Sequence, residues 1–417
     1  MPHLTEMIWE PDATYGYSRR DSKPFRYHAF IPDPIAGLDP ALLASVTATI
    51  EAAATAAVEL DGSPGIRDLE PSGRLLLRAE SVASSRIEGL RISHRRLEEA
   101  QHAPQAARGA ALDVVRNIQA MTRAVEIGTR QGRLDVGDLC DIHATLLSTH
   151  RDRPIAGRIR TVQSWIGGGV TPRLAQFIPP PPDDVPDLLD DLVSFTNRDD
   201  LSAITQAAIA HVQFETIHPF ADGNGRVGRC LIHVILRRRG LSRRVMPPIS
   251  VALAANTDRY ISGLTSYRSG NLAEWCTIFS EATHIAAERA AELGIALLNV
   301  KSEWLERAGR PRRGSSARRL VEGLSGHPLL SVALASELLG VSEEAARLAL
   351  NQLAERSVLR QVTIGRRNRA WEANDLFDLL DEFDMGMASI EGRGRARPRA
   401  DPPSASSGAV STLGATP

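Results

Sequence analysis

Apolar side chains return every three to four residues through most of this chain, and that period constrains its fold more than any other feature. Alanine and leucine carry the pattern over residues 40–60, 75–90, 112–127 and 136–148, and again through much of 186–300. Residues three and four apart share one face of an α-helix, so each run presents an apolar stripe that must be covered by another helix. A mainly α fold follows. At 417 residues the chain is long enough for more than one core, since a domain commonly holds roughly 100–200 residues.

Two breaks interrupt the helical pattern. Residues 166–182 contain Gly167, Gly168 and Gly169, then Thr171-Pro172, then four consecutive prolines. That composition ends helices and predicts a protruding loop or short hairpin on which something can dock. Residues 307–319, rich in Arg, Gly, Ser and Pro, predict a linker. Beyond it come two helical runs, a turn at Gly340-Val341-Ser342, a third helix, and two short β-like runs around residues 365–368. This order is that of a winged helix-turn-helix. From about Ser389 the apolar period disappears, and the composition predicts disorder. The expected plan is an N-terminal helical region over 1–110, a core over 111–300, a linker over 301–319, a winged helix-turn-helix over 320–385 and a disordered tail over 386–417.

Charge and cysteine content narrow the compartment and partners. Lys plus Arg number 49 against 50 for Asp plus Glu, so no global field steers the chain to nucleic acid or to a membrane. Lys23 and Lys301 are the only lysines, a bias attributed to codon composition. Cys140, Cys230 and Cys276 form no paired motif, and a Cys with a His three residues on, as at His143 and His233, cannot close a zinc site. They are expected to be reduced core thiols. Residues 1–25 lack the apolar segment of a secretory signal, and no run reaches the roughly 20 apolar residues of a membrane span. A cytoplasmic protein with no membrane partner is the expectation.

The chemistry is concentrated in residues 218–229, His-Pro-Phe-Ala-Asp-Gly-Asn-Gly-Arg-Val-Gly-Arg. Gly223, Gly225 and Gly228 fit the spacing of a dinucleotide fingerprint, but the context excludes it. A helical run precedes the glycines where a strand is required, and no acid stands about 20 residues downstream. Val227, Cys230, Leu231, Val234 and Ile235 instead form the apolar face of a following helix. The Gly-Asn-Gly therefore lies at a helix N-terminus, where free N–H groups and the positive dipole end favour an anion such as a phosphate chain. Arg226 and Arg229, three apart, can reach one ligand together. Asp222 is placed to hold Mg²⁺ against phosphates, and His218 can take a proton near neutrality.

This stretch resembles the signature of the Fic family, His-Pro-Phe-x-(Asp/Glu)-Gly-Asn-Gly-Arg-x-x-Arg, and matches every fixed position. The resemblance implies a Fic helical bundle with a short β-hairpin flap, here joined to a C-terminal winged helix-turn-helix domain. It implies a protein adenylyltransferase that moves AMP from ATP to a Tyr, Ser or Thr hydroxyl of a target protein or of itself, releasing pyrophosphate. By it, His218 is the general base and Asp222 the Mg²⁺ ligand. Gly223, Asn224 and Gly225 line the anion hole, Arg226 meets the phosphates and Arg229 holds the γ-phosphate. The resemblance runs from about residue 134 to 286. Gly157, Arg158 and Arg160, with Gln176, Phe177 and Ile178, correspond to a flap that aligns the target by strand addition. Tyr260 corresponds to a residue near the adenine, although the family's second tyrosine is Ile261 here.

Upstream, Ser84-Ser-Arg-Ile-Glu88-Gly89 closes a helical run, with Gly89 as its stop. A carboxylate at the negative end of a helix dipole calls for a cation, and Arg86 does not share its face. The segment resembles the family's inhibitory motif, (Ser/Thr)-x-x-x-Glu-(Gly/Asn), which implies a pair between Glu88 and Arg229 that keeps ATP in a non-reactive pose. The same glutamate allows an alternative in which water is positioned to remove AMP. A further alternative is a DNA-binding regulator. Arg347, Arg356, Arg360, Arg366, Arg367 and Arg369 could meet phosphates, although Glu343, Glu344 and Glu355 share the presumed recognition helix. Partner docking or self-association as a homodimer is the competing role for that unit.

Overall fold

The computed structural model describes residues 2–11, 18–67, 72–102, 108–148, 154–364 and 368–392. The chain opens with an antiparallel hairpin, β1 (His3–Trp9) and β2 (Phe25–Ile31). Helices α1 (Ala44–Gly62), α2 (Pro64–Arg67), α3 (Ser72–Ile87), α4 (His94–His102), α5 (Ala110–Thr129) and α6 (Val136–Leu146) follow. After the glycine- and proline-rich segment come α7 (Val185–Thr196), α8 (Ala203–Ile217), α9 (Asn224–Arg238), α10 (Ile249–Ala255), α11 (Thr257–Arg268) and α12 (Leu272–Arg307). The C-terminal part holds α13 (Ser316–Gly323), β3 (Leu329–Leu330), α14 (Val332–Leu339), α15 (Glu343–Glu355), β4 (Arg360–Ile364), β5 (Asn368–Glu372) and α16 (Asn374–Gly392), with its sheet in the order β3-β5-β4.

The mainly α character follows the apolar period. Helix α8 is buried on every side from Ile204 to Ile217, and α9 is buried from Arg226 to Leu236. A helix covered on every side is central to its bundle. These two helices pack on one another, with α5 across α9 and α7 across α8. The loop joining α8 to α9 is therefore fixed at both ends by the most deeply buried segments of the bundle.

Helix α3 belongs to the same core. Ala79 and Ala83 pack in one cluster with Ala120, Val227 and Ile235. Ser81 and Ser85 are tied to α5 through Asn117, whose Nδ2 donates to the Ser81 carbonyl at 2.9 Å and to Ser85 Oγ at 3.0 Å. Glu80 is fully buried between three elements. His233 Nε2 on α9 lies 2.8 Å from its Oε1, Ser250 N on α10 donates to its Oε2 at 2.7 Å, and Ser250 Oγ bonds Oε1. A buried carboxylate is tolerated only when its oxygens are bonded, and removing one member leaves donors stranded. We expect Glu80→Ala to destabilise the bundle by about 3 kcal/mol or more, read as a lowered thermal midpoint; a change within about 0.5 kcal/mol would show that α3 is not anchored here.

The structure alters several expected boundaries. The N-terminal region is not wholly helical. His3–Trp9 and Phe25–Ile31 pair as antiparallel strands; Phe25, Tyr27 and Ala29 alternate with Arg26 and His28, a short strand signature, whereas residues 3–9 carry no such alternation. The linker is shorter than 301–319, because α12 runs unbroken through Arg307 and α13 begins at Ser316. Trp304 explains the difference: it is 1% exposed, and its Nε1 donates to Asp375 Oδ2 at 2.9 Å. Burial of that indole against the C-terminal part keeps α12 helical where composition suggested a break. Helix α16 reaches Gly392, so it enters the segment expected to be a tail. Leu376, Phe377 and Leu380 are buried and hold it in place. Residues 365–367 of the expected wing, with Arg366 and Arg367, and residues 393–417 of the tail lie outside the described residues.

Candidate active site

Helix α8 ends at His218, which has a φ of 52° in the left-handed region. A non-glycine residue there is strained unless its surroundings hold it. Arg160 supplies that hold. Its Nε donates to the His218 carbonyl at 2.8 Å, its Nη1 to the Val162 carbonyl at 3.1 Å, and its backbone N to the Pro219 carbonyl at 2.9 Å. The guanidinium is buried, and that burial pulls its pKa down to about 10. Sequence reading placed Arg160 in the flap region; the structure makes it the clamp of the turn that bears His218.

The loop between the helices is knit by two further residues. Asn224 uses its side chain inward: Nδ2 donates to the Phe220 carbonyl and Oδ1 accepts from Phe220 N, both at 2.8 Å. Only its backbone is left to face a ligand. His143, from α6, stacks on Phe220 at 3.9 Å. Its Nδ1 accepts from Gly157 N at 2.9 Å, so Nε2 carries the proton and donates to the Asp222 carbonyl at 3.0 Å. Burial holds this ring neutral, with a pKa near 4. In the sequence His143 offered only its spacing from Cys140, which pointed nowhere.

The glycines serve unlike purposes. Gly223 has a φ of 78° and starts α9. Gly225 is helical, but a Cβ there would fall 2.1 Å from Glu88 Oε1 and 3.0 Å from Arg229 Nη1. Only glycine admits the carboxylate. At Gly228 a Cβ would fall 2.5 Å from Glu215 Oε1.

Arg226 and Arg229 of α9 do not converge on one point. Arg226 is buried beside Gly223, and its Nε has no hydrogen-bond partner among the described residues. Arg229, 1% exposed, turns toward α3. Its Nε donates to Ser84 Oγ and its Nη2 to the Ser84 carbonyl, each at 2.9 Å, and Nη2 meets Glu88 Oε1 at 2.7 Å. Glu88 lies just past the end of α3, before Gly89 with its φ of 80°. Burial opposes its ionisation, but Arg229, then Arg226 and His218, more than offset this and hold its pKa below the usual glutamate value. Arg86 points elsewhere and pairs with Asp384 of α16.

Three more titratable groups face this cluster. Burial, with Arg160 and Arg268 nearby, drives the His218 imidazole down to about 4, against the opposing pull of the Glu88 charge and the Glu215 carbonyl. Glu215 itself, on α8, is raised to about 7 by burial and by the Glu88 charge, with Arg229 opposing. Tyr260 is 3% exposed, with its hydroxyl 2.9 Å from His211 Nε2 and its ring against Trp275. It packs under Arg229 instead of lining the surface, and the exposed side chain at that turn is Ile261.

Asp222 is exposed at the mouth of the nest, with Oδ1 accepting from Gly223 N at 2.6 Å. No cluster of three or more His, Cys, Asp or Glu side chains able to hold a metal occurs among the described residues. One exposed carboxylate is nonetheless a fitting donor set for Mg²⁺, which commonly takes one or two carboxylates and fills its shell with phosphate oxygens and water.

The segment expected as a flap is a short hairpin. Ile166 bridges Phe177, and a 3₁₀ turn occupies Pro172–Leu174. Phe177 is covered by the guanidinium of Arg268, 3.6 Å from the ring centre, while Gln176 is exposed and Ile178 half-buried. No helix among the described residues is long and apolar enough to cross a membrane. Cys230 and Cys276 are buried free thiols and Cys140 a half-buried one.

Comparison with known proteins bears on this arrangement. Residues 133–236 match the model of the Fic/DOC family, and residues 47–126 match that of the Fic/DOC family N-terminal region. Protein adenylyltransferase fic-1 of Caenorhabditis elegans is 33% identical over 132 residues, which cover 31% of this chain and 23% of that protein. A protein of Aquifex aeolicus named "Probable protein adenylyltransferase" is 41% identical over 97 residues, 23% of this chain and 28% of that one. The chain thus spans about a quarter of the length of these curated relatives. A solved Fic family protein from Desulfovibrio desulfuricans shares the fold, with a TM-score of 0.52 over 80% of this chain and 98% of that one at 22% identity. With residues 218–229 inside one matched region and α3 inside the other, the chain carries a Fic/DOC domain over residues 133–236, preceded by a region that matches the family's N-terminal model.

Proposed function

We propose that this chain transfers AMP from ATP to a Tyr, Ser or Thr hydroxyl of a target protein or of itself, and that Glu88 restrains the transfer. One observation carries the reading: Arg226 is buried at the start of α9 with an unpartnered Nε, beside an N-terminal nest whose loop also holds His218. A buried guanidinium donor without an acceptor is costly. A phosphate oxygen satisfies it. The protein adenylyltransferase names of the relatives agree with a nucleotide as the donor.

His218 accepts the hydroxyl proton on a ring nitrogen as the hydroxyl oxygen bonds to the α-phosphorus. The bond from that phosphorus to the bridging oxygen breaks, and pyrophosphate leaves with the electron pair. Backbone N–H groups of Gly223, Asn224 and Gly225, with Arg226, stabilise the charge that builds on the phosphate oxygens. Asp222 would hold Mg²⁺, which supplies charge neutralisation to the phosphates when bound. Arg229 is the γ-phosphate ligand once released from Glu88. In place of an adenine contact, we assign Tyr260 the support of Arg229 from below. The test uses two labels: with Glu88→Gly, α-labelled ATP is expected to mark protein and γ-labelled ATP is not. Marking by the γ label would mean phosphate transfer.

The pH profile follows from the buried base. A His218 pKa near 4 leaves the ring neutral above about pH 5, so on its account transfer is expected to be flat from roughly pH 6 to 8 and to fall as the pH drops toward 4. Glu215 titrates near 7 and is the group able to add an inflection there; Glu215→Gln should remove it. An inflection at about 6.5 surviving in that variant would mean an imidazole solvated like free histidine.

A second reading rests on Glu88, whose side chain is 38% exposed and which uses one oxygen for Arg229. An ionised carboxylate at the mouth can also orient water toward an AMP-modified hydroxyl. Release of AMP from labelled protein by the wild type but not by Glu88→Gly would favour it.

We also propose that the C-terminal part is a winged helix-turn-helix that docks protein. Its presumed recognition helix, α15, starts Glu343-Glu344, where carboxylates would oppose DNA phosphates; Arg347 is paired with Glu344 at 3.1 Å, and Arg360 with buried Glu372. No shift of duplex DNA is expected in a gel assay at about 150 mM salt, and a shift that weakens steeply with salt would reverse this assignment.

A further inference from the structure

The N-terminal hairpin was absent from every sequence expectation, and the function above does not use it. Its contacts converge on one place. Phe30 N of β2 donates to the Ile178 carbonyl at 2.9 Å, capping the end of the flap strand. The Phe30 ring packs on Phe177, with centres 5.9 Å apart. Arg173, on the flap turn, is held three ways: its Nε pairs with Asp21 at 3.0 Å, its Nη2 donates to the Arg20 carbonyl at 3.2 Å, and its guanidinium lies 3.7 Å over the ring of Phe25. Trp9 of β1 meets Trp165 edge-on at 5.6 Å. Just past β2, the Asp33 carbonyl accepts from Gln213 on α8 at 2.9 Å, which seats the hairpin on the bundle.

The flap has little of its own to hold it. Among the described residues its hairpin closes through one bridge, between Ile166 and Phe177, and an isolated two-stranded hairpin is marginal in water. Gly167, Gly168 and Gly169 all have positive φ, and across that turn Trp165 Nε1 donates to the Gly169 carbonyl at 2.9 Å. Aromatic and guanidinium contacts of the kind made by Phe25, Phe30 and Trp9 supply hold from outside the flap. Phe177 is also covered by Arg268, whose Nη2 donates to the Glu215 carbonyl at 3.3 Å, one helical turn before His218. A continuous stack runs from β2 through Phe177 and Arg268 to the base of the catalytic turn.

We propose that the hairpin β1–β2 is the positioning element of the flap: it sets the flap's orientation over His218 and thereby governs which protein segment is accepted, without contacting the nucleotide. This rests on the reading that the flap docks the target by strand addition. A strand added to a loose hairpin must order both partners, whereas one added to a braced hairpin orders only itself. Loss of the brace therefore weakens acceptor use and leaves nucleotide binding intact.

The test compares Asp21→Ala/Phe25→Ala and, separately, Phe30→Ala, each in the full chain carrying Glu88→Gly. Hydrogen exchange over residues 164–178 is expected to accelerate about tenfold or more in the double variant, with residues 218–238 unchanged. Labelling of lysate proteins by α-labelled ATP should fall about tenfold and recover at higher lysate concentration, as a raised acceptor KM requires. Affinity for trinitrophenyl-ATP should stay within twofold. Unchanged flap exchange in both variants would overturn the proposal, as would loosened exchange with undiminished labelling. If the Glu88→Gly parent labels nothing, the transferase reading fails, and flap exchange still decides whether the hairpin positions the flap.

Discussion

His218→Ala in the Glu88→Gly background is expected to lower AMP transfer by a factor of about 10² to 10⁴, the span over which a positioned general base contributes. The variant should still bind ATP with about the same affinity. The imidazole sits at the end of α8 in a left-handed turn held by Arg160, and its neighbours for the nucleotide, the nest and Arg226, belong to α9. Removing the ring leaves that nest in place, because Asn224 and His143 lock the loop independently of it. Binding and chemistry should therefore separate, with KM for ATP held and kcat lost. Equal loss of both would mean that the left-handed turn had collapsed and that the residue's role is structural.

Glu88→Gly is expected to raise transfer by about tenfold to a hundredfold, equivalent to roughly 1.4–2.7 kcal/mol at the transition state. Arg229 is a fully buried cation that needs a carboxylate or phosphate partner, and Glu88 Oε1 holds it at 2.7 Å. An ATP γ-phosphate must displace that bond to use the same guanidinium. Ser84 stays bonded to Arg229 through both its Oγ and its carbonyl, so the arginine keeps its orientation when the glutamate is removed. Glycine also spares the end of α3, whose stop at Gly89 is backbone-determined. Transfer measured with α-labelled ATP, wild type against variant, checks the expectation. Equal rates would mean that Glu88 does not compete with the nucleotide. Glu88→Gln is informative beside it: the amide retains the shape but loses the charge that offsets burial, so an intermediate rate is expected.

The release of that contact cannot involve departure of α3. Glu80, Ser81, Ala83 and Ser84 are buried within the bundle, and Glu80 is bonded to both α9 and α10. A change confined to the Glu88 side chain and the turn at Gly89 is the motion this packing permits.

The division between what was legible in the sequence and what was not follows the range of the interactions. The helical character could be read because periodicity is a local property, repeated across many residues. The grouping of residues 218–229 could be read because His218, Asp222, three glycines and Arg226 and Arg229 stand within one turn and the start of one helix. Even the end of α3 was legible, since Ser84, Glu88 and Gly89 are near neighbours. The linker was misjudged where a single buried side chain, Trp304, outweighed local composition.

Only tertiary packing decided how these pieces are used. Arg229 meets a residue 141 positions away, and that contact, not the helix face it occupies, determines where its guanidinium points. Arg160 and His143 acquire their roles from carbonyls of a loop far along the chain. Asn224 turns inward because Phe220 presents both an N–H and a carbonyl to it. The hairpin β1–β2 finds the flap across more than a hundred residues. Local sequence determined which chemical groups this protein carries; the burial that forces each polar group to find a partner decided which of them meet.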